Sequence, residues 1–210
     1  MLPNTVAGTV TLLFTDLVGS TETLQRLGEE GAEQFRRTHF RLLREAVAAH
    51  EGQEVKNLGD GLMVAFGSAL DATRCAVAMQ QAVERHNRRG GESLNVRVGL
   101  HVGEPIRDEE DYFGTPVVIA QRLCASARGG QVVASDLVRA LIGGRGGVTF
   151  GFVVFGHLDR ASVTSAWTGS GCPPPPGGRT PAAAVPLLSA FRGPSCRSRR
   201  SYLNCRGGTS

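Results

Sequence analysis

Lysine is nearly missing from this chain of 210 residues: of its 23 basic side chains, Lys56 is the only lysine. Aromatic residues make up only 6% of it, with one tryptophan and two tyrosines. They are not interleaved with the arginines, so the chain lacks the mixed stacking and phosphate-contacting surface of a nucleic-acid binder, and no nucleic-acid partner is expected. No apolar run approaches the roughly 20 residues of a membrane span, so none is expected. The N-terminus lacks the basic start and apolar middle of a secretory signal. Five cysteines, at positions 75, 124, 172, 196 and 205, have no metal-ligand spacing and an odd count. They read as free thiols in a reducing compartment. A soluble, cytoplasmic protein is the expectation from these absences.

Acids are also missing from one end. Residues 1–159 carry 16 basic and all 19 acidic side chains, for a net −3, whereas residues 160–210 carry seven arginines and no acid. The same final stretch holds seven of the ten prolines, including Pro173 to Pro176. Such a composition cannot bury enough apolar surface to offset the entropy of ordering. Two parts are expected: a globular domain over 1–159 and a disordered Pro/Gly/Arg-rich tail over 160–210. The abrupt change reads as a tail foreign to the domain, as a shifted reading frame would produce.

What is present is organised around Val55-Lys56-Asn57-Leu58-Gly59-Asp60-Gly61. Apolar β-formers on both sides mark two strands and a tight turn, with Gly59 and Gly61 free to adopt positive φ. By itself this pattern also suits an ordinary solvated hairpin. Before it, Thr9–Phe14 reads as a buried strand that ends in Thr15-Asp16. Gly19 and Ser20 then mark a turn and an N-cap for a helix to about His50, with apolar positions at Leu24, Leu27, Phe35, Leu42, Leu43, Ala46 and Val47. After the hairpin come a helix over about 69–87 and a strand over 94–102. Gly103–Gly114 reads as an acid-rich loop. Pro116 opens a third helix to about Ala127. A short strand at 131–134, a short helix to Ile142 capped by Ser135-Asp136, and a strand over 148–155 with a bulge at Gly151 complete the pattern. The class is α+β: a ferredoxin-like βαββαβ antiparallel sheet with helices, plus a C-terminal αβαβ extension.

In that topology the end of the first strand and the hairpin turn meet at one edge, bringing Asp16 and Asp60 together. Two adjacent carboxylates repel unless cations lie between them, and hard cations such as Mg²⁺ suit such oxygens, completed by a nucleotide's phosphates. The helix start at Gly19-Ser20-Thr21 offers free N–H groups for phosphate. Each aspartate alone also fits an ordinary turn or cap.

Four segments carry a resemblance. Phe14–Thr21 (FTDLVGST), Lys56–Gly61 (KNLGDG), Arg97–Gly103 (RVGLHVG) and Asp111–Gly114 (DYFG) resemble, in order and spacing, the catalytic domain of class III adenylyl/guanylyl cyclases over about residues 6–157. The resemblance implies the class III nucleotidyl cyclase fold and conversion of ATP to cyclic AMP and pyrophosphate in a homodimer. It implies two Mg²⁺ or Mn²⁺ ions per site on Asp16 and Asp60, with the Leu17 carbonyl as a further ligand. Lys56 and Asp111 match the pair that reads adenine, where guanine-reading members usually carry Glu and a small polar residue. Arg97 matches an arginine on the triphosphate, and Arg122 the arginine that stabilises transition-state charge. One chain would supply the metal carboxylates, its partner the base readers and Arg122. His101 is expected to be a packed histidine, and Tyr112 and Phe113 loop anchors.

Two positions depart from the family pattern. Val118 stands four residues before Arg122, where the family has an asparagine on the same helix face. Valine cannot hydrogen-bond the ribose, so reduced turnover is expected; the alternative is a nucleotide-binding or dimerising regulatory domain with little or no turnover. The family also carries a lysine soon after a segment like Gly156-His157-Leu158-Asp159; here Arg160 is the only nearby substitute.

Overall fold

The computed structural model describes residues 5–6, 8–153 and 163–167. Its elements are β1 (Thr5–Val6), β2 (Val10–Leu17), α1 (Ser20–Ala49), β3 (Gln53–Asn57), β4 (Leu62–Phe66), α2 (Ala69–Arg88), β5 (Val96–Gly103), β6 (Ile106–Asp108), β7 (Asp111–Phe113), α3 (Thr115–Ser126), β8 (Val132–Ser135), α4 (Asp136–Ile142), β9 (Thr149–Val153) and β10 (Val163–Trp167). The main sheet runs β3-β4-β2-β5-β8-β10-β9. Its first four strands are antiparallel and form the expected ferredoxin-like unit, with β2 in the middle between β4 and β5. β8 joins β5 in parallel, because α3 provides the crossover that parallel strands need. The sheet is therefore mixed where the extension attaches.

Alternation along β2 divides the core. Leu13 and Leu17 face α1, α2 and α4 in one apolar cluster, while Leu12 and Phe14 face Tyr112 and the α3 residues Ala120 and Cys124 in another. Burying each large apolar side chain contributes about 1.5–3 kcal/mol, and Leu12, Leu13, Leu43, Leu62, Met63 and Leu100 are all fully buried. Gly99 is required by close approach: a Cβ there would sit 2.2 Å from the Cys124 nitrogen, so its absence lets α3 lie directly on β5.

Several expectations change. The helix expected as one piece to His50 is interrupted at Gly28 (φ 69°, ψ −178°). The acidic stretch from 103 to 114 is not merely a loop: β6 and β7 form a hairpin, and β1 pairs with β6 in a second, three-stranded sheet. The bulge lies between Glu54 and Lys56 on β3, whereas Gly151 pairs in regular register with Ser165. β10 pairs with both β8 and β9 in the main sheet. Val163, Thr164 and Trp167 are strand-favouring residues within a stretch whose overall composition suggests otherwise. Gly156–Asp159, Arg160, the remainder of the tail and Cys172, Cys196 and Cys205 lie outside the described residues. Among those described, no helix is long and apolar enough to cross a membrane.

Candidate active site

The end of β2 and the β3–β4 turn are in direct contact. The Leu62 N–H donates to Thr15 Oγ1 at 2.8 Å. Gly61 was expected to serve by positive φ, but only Gly59 does so (φ 98°). Gly61 is needed for space: a Cβ there would lie 1.8 Å from the Thr15 carbonyl oxygen and 3.2 Å from Asp16 Cα. This contact brings Asp16 and Asp60 to one edge, as the topology requires. The turn is closed by Leu58 N–H donating to the Gly61 carbonyl at 2.9 Å, and by Gly59 N–H donating to Asn57 Oδ1 at 2.7 Å.

Gly19, in the left-handed region at φ 72°, turns the chain from β2 into α1. Ser20 was expected as the cap, but Gly19 holds that position and makes no side-chain cap bond. Ser20 Oγ instead donates to Asp60 Oδ2 at 3.2 Å. Ser20 thus brings the start of α1 to Asp60, and helix geometry leaves the first N–H groups, from Ser20 and Thr21, without intrahelical acceptors.

Arg97 lies opposite Asp16 in the β2–β5 register. Its Nε donates to Asp16 Oδ2 at 2.6 Å, and its terminal nitrogen donates to the Ala125 carbonyl at 2.8 Å. Beneath this edge Cys124 is buried. Burial pushes its thiol up to about 12, and the charges of Asp16 and Asp60 act in the same direction, as expected of a thiol beside carboxylates.

His39, on α1, was not singled out in the sequence, although it falls in the buried stripe with Phe35, Leu42, Leu43 and Ala46. Its ring is 1% exposed, and its Nε2 lies 3.1 Å from the Asp60 carbonyl oxygen. A carbonyl only accepts, so Nε2 carries the proton. Nδ1 is buried with no hydrogen-bond partner among the described residues. Burial pushes the imidazole down to about 4, so it is neutral at pH 7. A histidine within an otherwise apolar helical stripe was the available signal.

A second cluster forms where β3 meets β7. The bulge before Lys56 swings it toward Asp111, and Lys56 Nζ lies 2.6 Å from Asp111 Oδ2. Burial opposes the Asp111 charge, but the hydrogen bonds from Lys56 and the Tyr112 N–H, with the lysine's charge, hold the carboxyl below its usual range. Tyr112 is buried and anchors β7 as expected. Phe113 is not an anchor: it is 46% exposed, and the Lys56 ammonium sits 5.6 Å from its ring centroid. Val118 and Arg122 occupy one exposed face of α3. His101 is packed, with Nδ1 2.9 Å from Ser135 Oγ. That hydroxyl was expected to cap α4 but makes no cap bond.

The donor set fits a hard divalent cation. Asp16 and Asp60 come to one edge through the close approach of Gly61 to the Thr15–Asp16 backbone, and Leu17 ends β2 there. No group of three or more potential His, Cys, Asp or Glu ligands occurs among the described residues. Two carboxylates leave coordination positions for phosphate oxygens and water, which is how magnesium is usually held beside a nucleotide.

Comparison with known proteins gives the family and the fold. A profile of the adenylate and guanylate cyclase catalytic domain matches residues 2–154. The adenylate cyclase of Mycosarcoma maydis is 31% identical over 190 residues, which cover 78% of this chain and 7% of that protein. The chain spans less than half the length of the curated relatives it matches. The crystal structure of the guanylyl cyclase Cya2 is 26% identical, with a TM-score of 0.64 over 75% of this chain and 90% of that one. The adenylyl cyclase CyaB from P. aeruginosa, at 20% identity, shares the fold with a TM-score of 0.65 over 77% of this chain and 94% of that one. The chain belongs to the class III adenylyl/guanylyl cyclase catalytic domain family.

Proposed function

We propose that this domain is an adenylyl cyclase that converts ATP to 3′,5′-cyclic AMP and pyrophosphate as a homodimer. The observation that carries the adenine reading is the Lys56–Asp111 pair. Lysine donates to an adenine ring nitrogen and aspartate accepts from the exocyclic amine, whereas guanine presents the reverse pattern at those edges.

Asp16, Asp60 and the Leu17 carbonyl would hold the Mg²⁺ or Mn²⁺ ions. When bound, such a cation pair lowers the pKa of the attacking hydroxyl and neutralises the triphosphate. The α1 N–H groups at Ser20 and Thr21 receive phosphate oxygens. Arg97 exchanges Asp16 for the triphosphate. A bond forms between the ribose 3′-oxygen and the α-phosphorus, the bond to the bridging oxygen breaks, and the hydroxyl proton passes to solvent. Arg122 supplies positive charge where negative charge develops. Val118 offers no hydrogen bond to the ribose, so turnover is slow.

Dimerisation through the site is supported by exposed apolar residues on the segments that carry it. Val18, Leu58, Ile106, Phe113 and Val118 are five of the seven large apolar side chains exposed among the described residues, and clustered exposed apolar surface marks interfaces. The test is cyclic nucleotide production with Mn²⁺ from ATP and from GTP. Cyclic AMP as the main product supports the reading, and preference for GTP overturns the adenine assignment. Mixing Asp16→Ala with Lys56→Ala, each inactive alone, restores about a quarter of parental activity if each site draws on two chains, as a twofold dimer requires. Failure of the mixture to recover activity overturns the shared-site dimer.

A further inference from the structure

We propose that His39 is the positioning residue for Asp60: its imidazole N–H holds the backbone of the turn that presents this carboxylate to the cation. The inference rests on the metal-site reading above and deepens it. His39 meets Asp60 at the carbonyl, at 3.1 Å, while Ser20 meets the carboxylate at 3.2 Å. Both come from α1 but from opposite sides of the Gly28 interruption. Ser20 belongs to the short N-terminal piece. His39 belongs to the longer piece, whose Phe35, Leu42, Leu43, Ala46 and Val47 are packed into the core. The Asp60 backbone is therefore anchored to the core-packed part of α1, whatever the first turn does around a ligand.

Among the described residues the one polar bond this buried ring makes is to the Asp60 carbonyl. The site is 1% exposed and lies in an apolar stripe, with the Phe40 ring edge-on at 4.9 Å. Leucine would fill it without burying an unpaired nitrogen. What leucine lacks is the N–H aimed at the Asp60 carbonyl. Groups that orient a metal ligand from behind typically govern metal affinity by about 10–100-fold when removed.

The experiment compares the full-length parent with His39→Leu and His39→Gln, whose amide N–H reaches to about the imidazole Nε2. The first readout needs no metal: amide exchange at Gly59 and Gly61, which speeds up in His39→Leu and returns toward parental rates in His39→Gln. The second is Mn²⁺ binding by paramagnetic resonance without turnover, weakened by about tenfold or more in His39→Leu and within about threefold of parent in His39→Gln. Thermal stability of His39→Leu stays at or above that of the parent. A folded His39→Leu protein with parental exchange and parental Mn²⁺ affinity overturns the proposal. If His39→Leu does not fold, His39→Met, a more adaptable apolar side chain, makes the same comparison. If the parent binds no Mn²⁺, the metal-site reading fails; the exchange readout still decides whether His39 holds the turn, and unchanged exchange overturns the proposal there too.

Discussion

Arg97 and Asp16 stand opposite each other on neighbouring strands and are joined at 2.6 Å, side chain to side chain. The same guanidinium reaches the Ala125 carbonyl near the end of α3, so one arginine links β2, β5 and α3 at the site. A cation arriving at Asp16 must compete with it. The pair is about a quarter exposed on each side, and an ion pair of this kind is worth up to about 1 kcal/mol. Arg97→Ala should therefore tighten nucleotide-free Mn²⁺ binding by up to about fivefold. It should also raise KM for ATP by about tenfold or more, because the triphosphate loses a cation. Calorimetry and steady-state kinetics read the two effects separately. Unchanged values in both would leave Arg97 with a purely structural role.

The base-reading pair predicts a change of substrate. Lys56→Glu combined with Asp111→Ser replaces a donor by an acceptor and removes the acceptor from the other position. Mismatched buried hydrogen-bonding groups discriminate strongly between substrates, so the ratio of kcat/KM for ATP to that for GTP should fall by about 10²-fold or more. A ratio within about threefold of the parent would remove Lys56 and Asp111 from base recognition. Phe113, beside the Lys56 ammonium, should matter less: Phe113→Ala frees the lysine but leaves its charge, raising KM for ATP by a few-fold.

Much of this site was legible because its parts lie in short segments whose topology can be derived. Asp16 ends a run of strand formers and Asp60 sits in a Gly-Asp-Gly turn, so a βαββαβ order alone brings them together. Lys56 and Asp111 became a pair only through family resemblance, since nothing local links residues 55 positions apart. The remaining differences concern which partner a group chooses. Ser20 and Ser135 each stand where a cap is usual, yet one bonds Asp60 and the other His101. A serine's preference for a helix start is a local propensity, and a nearby tertiary acceptor overrides it. Gly61 looked like a second positive-φ residue and proved to be a point of backbone contact, a distinction set by packing between strands distant in sequence. His39 was concealed by its stripe, because periodicity identifies a buried face without showing what a polar member of it touches.

That Gly61 contact is directly testable. A methyl group at position 61 would clash with the Thr15 carbonyl, a backbone atom that cannot rotate away. Gly61→Ala should cost about 3 kcal/mol or more in chemical denaturation. Gly67→Ala, where a Cβ would meet nothing within 4 Å, should change stability by less than about 1 kcal/mol. Similar unfolding midpoints for the two variants would show that β2 and the turn are not in this contact.

His101 gives the pH dependence its sign. Burial lowers its imidazole below the ordinary value, so the unfolded chain takes up the proton first as the solution is acidified. The contribution is fully present above the free imidazole value of about 6.5 and is lost as pH falls through the lower folded value. His101→Asn keeps a side-chain partner for Ser135 but cannot titrate. Between pH 7.5 and pH 5, the parent should lose more unfolding free energy than this variant, as measured by urea midpoints. Equal losses would mean that His101 is not depressed in the fold.

Val118 offers the sharpest test of the catalytic reading. It is 44% exposed, on the face of α3 that also carries Arg122, so a polar residue there disturbs no core packing and should shift stability by no more than about 0.5 kcal/mol. Its effect on rate should be much larger. A single positioned hydrogen bond to the reacting groups is typically worth about 10²–10³ in kcat, and an asparagine amide at this place can both donate to and accept from a ribose hydroxyl. Val118→Asn should raise kcat for cyclic AMP formation by about 10²-fold while KM for ATP moves little, since the added bond matters chiefly as the 3′-oxygen is brought into line. A rise in kcat with KM unchanged would show that the valine limits orientation rather than binding. A folded variant whose kcat stays at the parental level would mean that α3 does not deliver this position to the ribose.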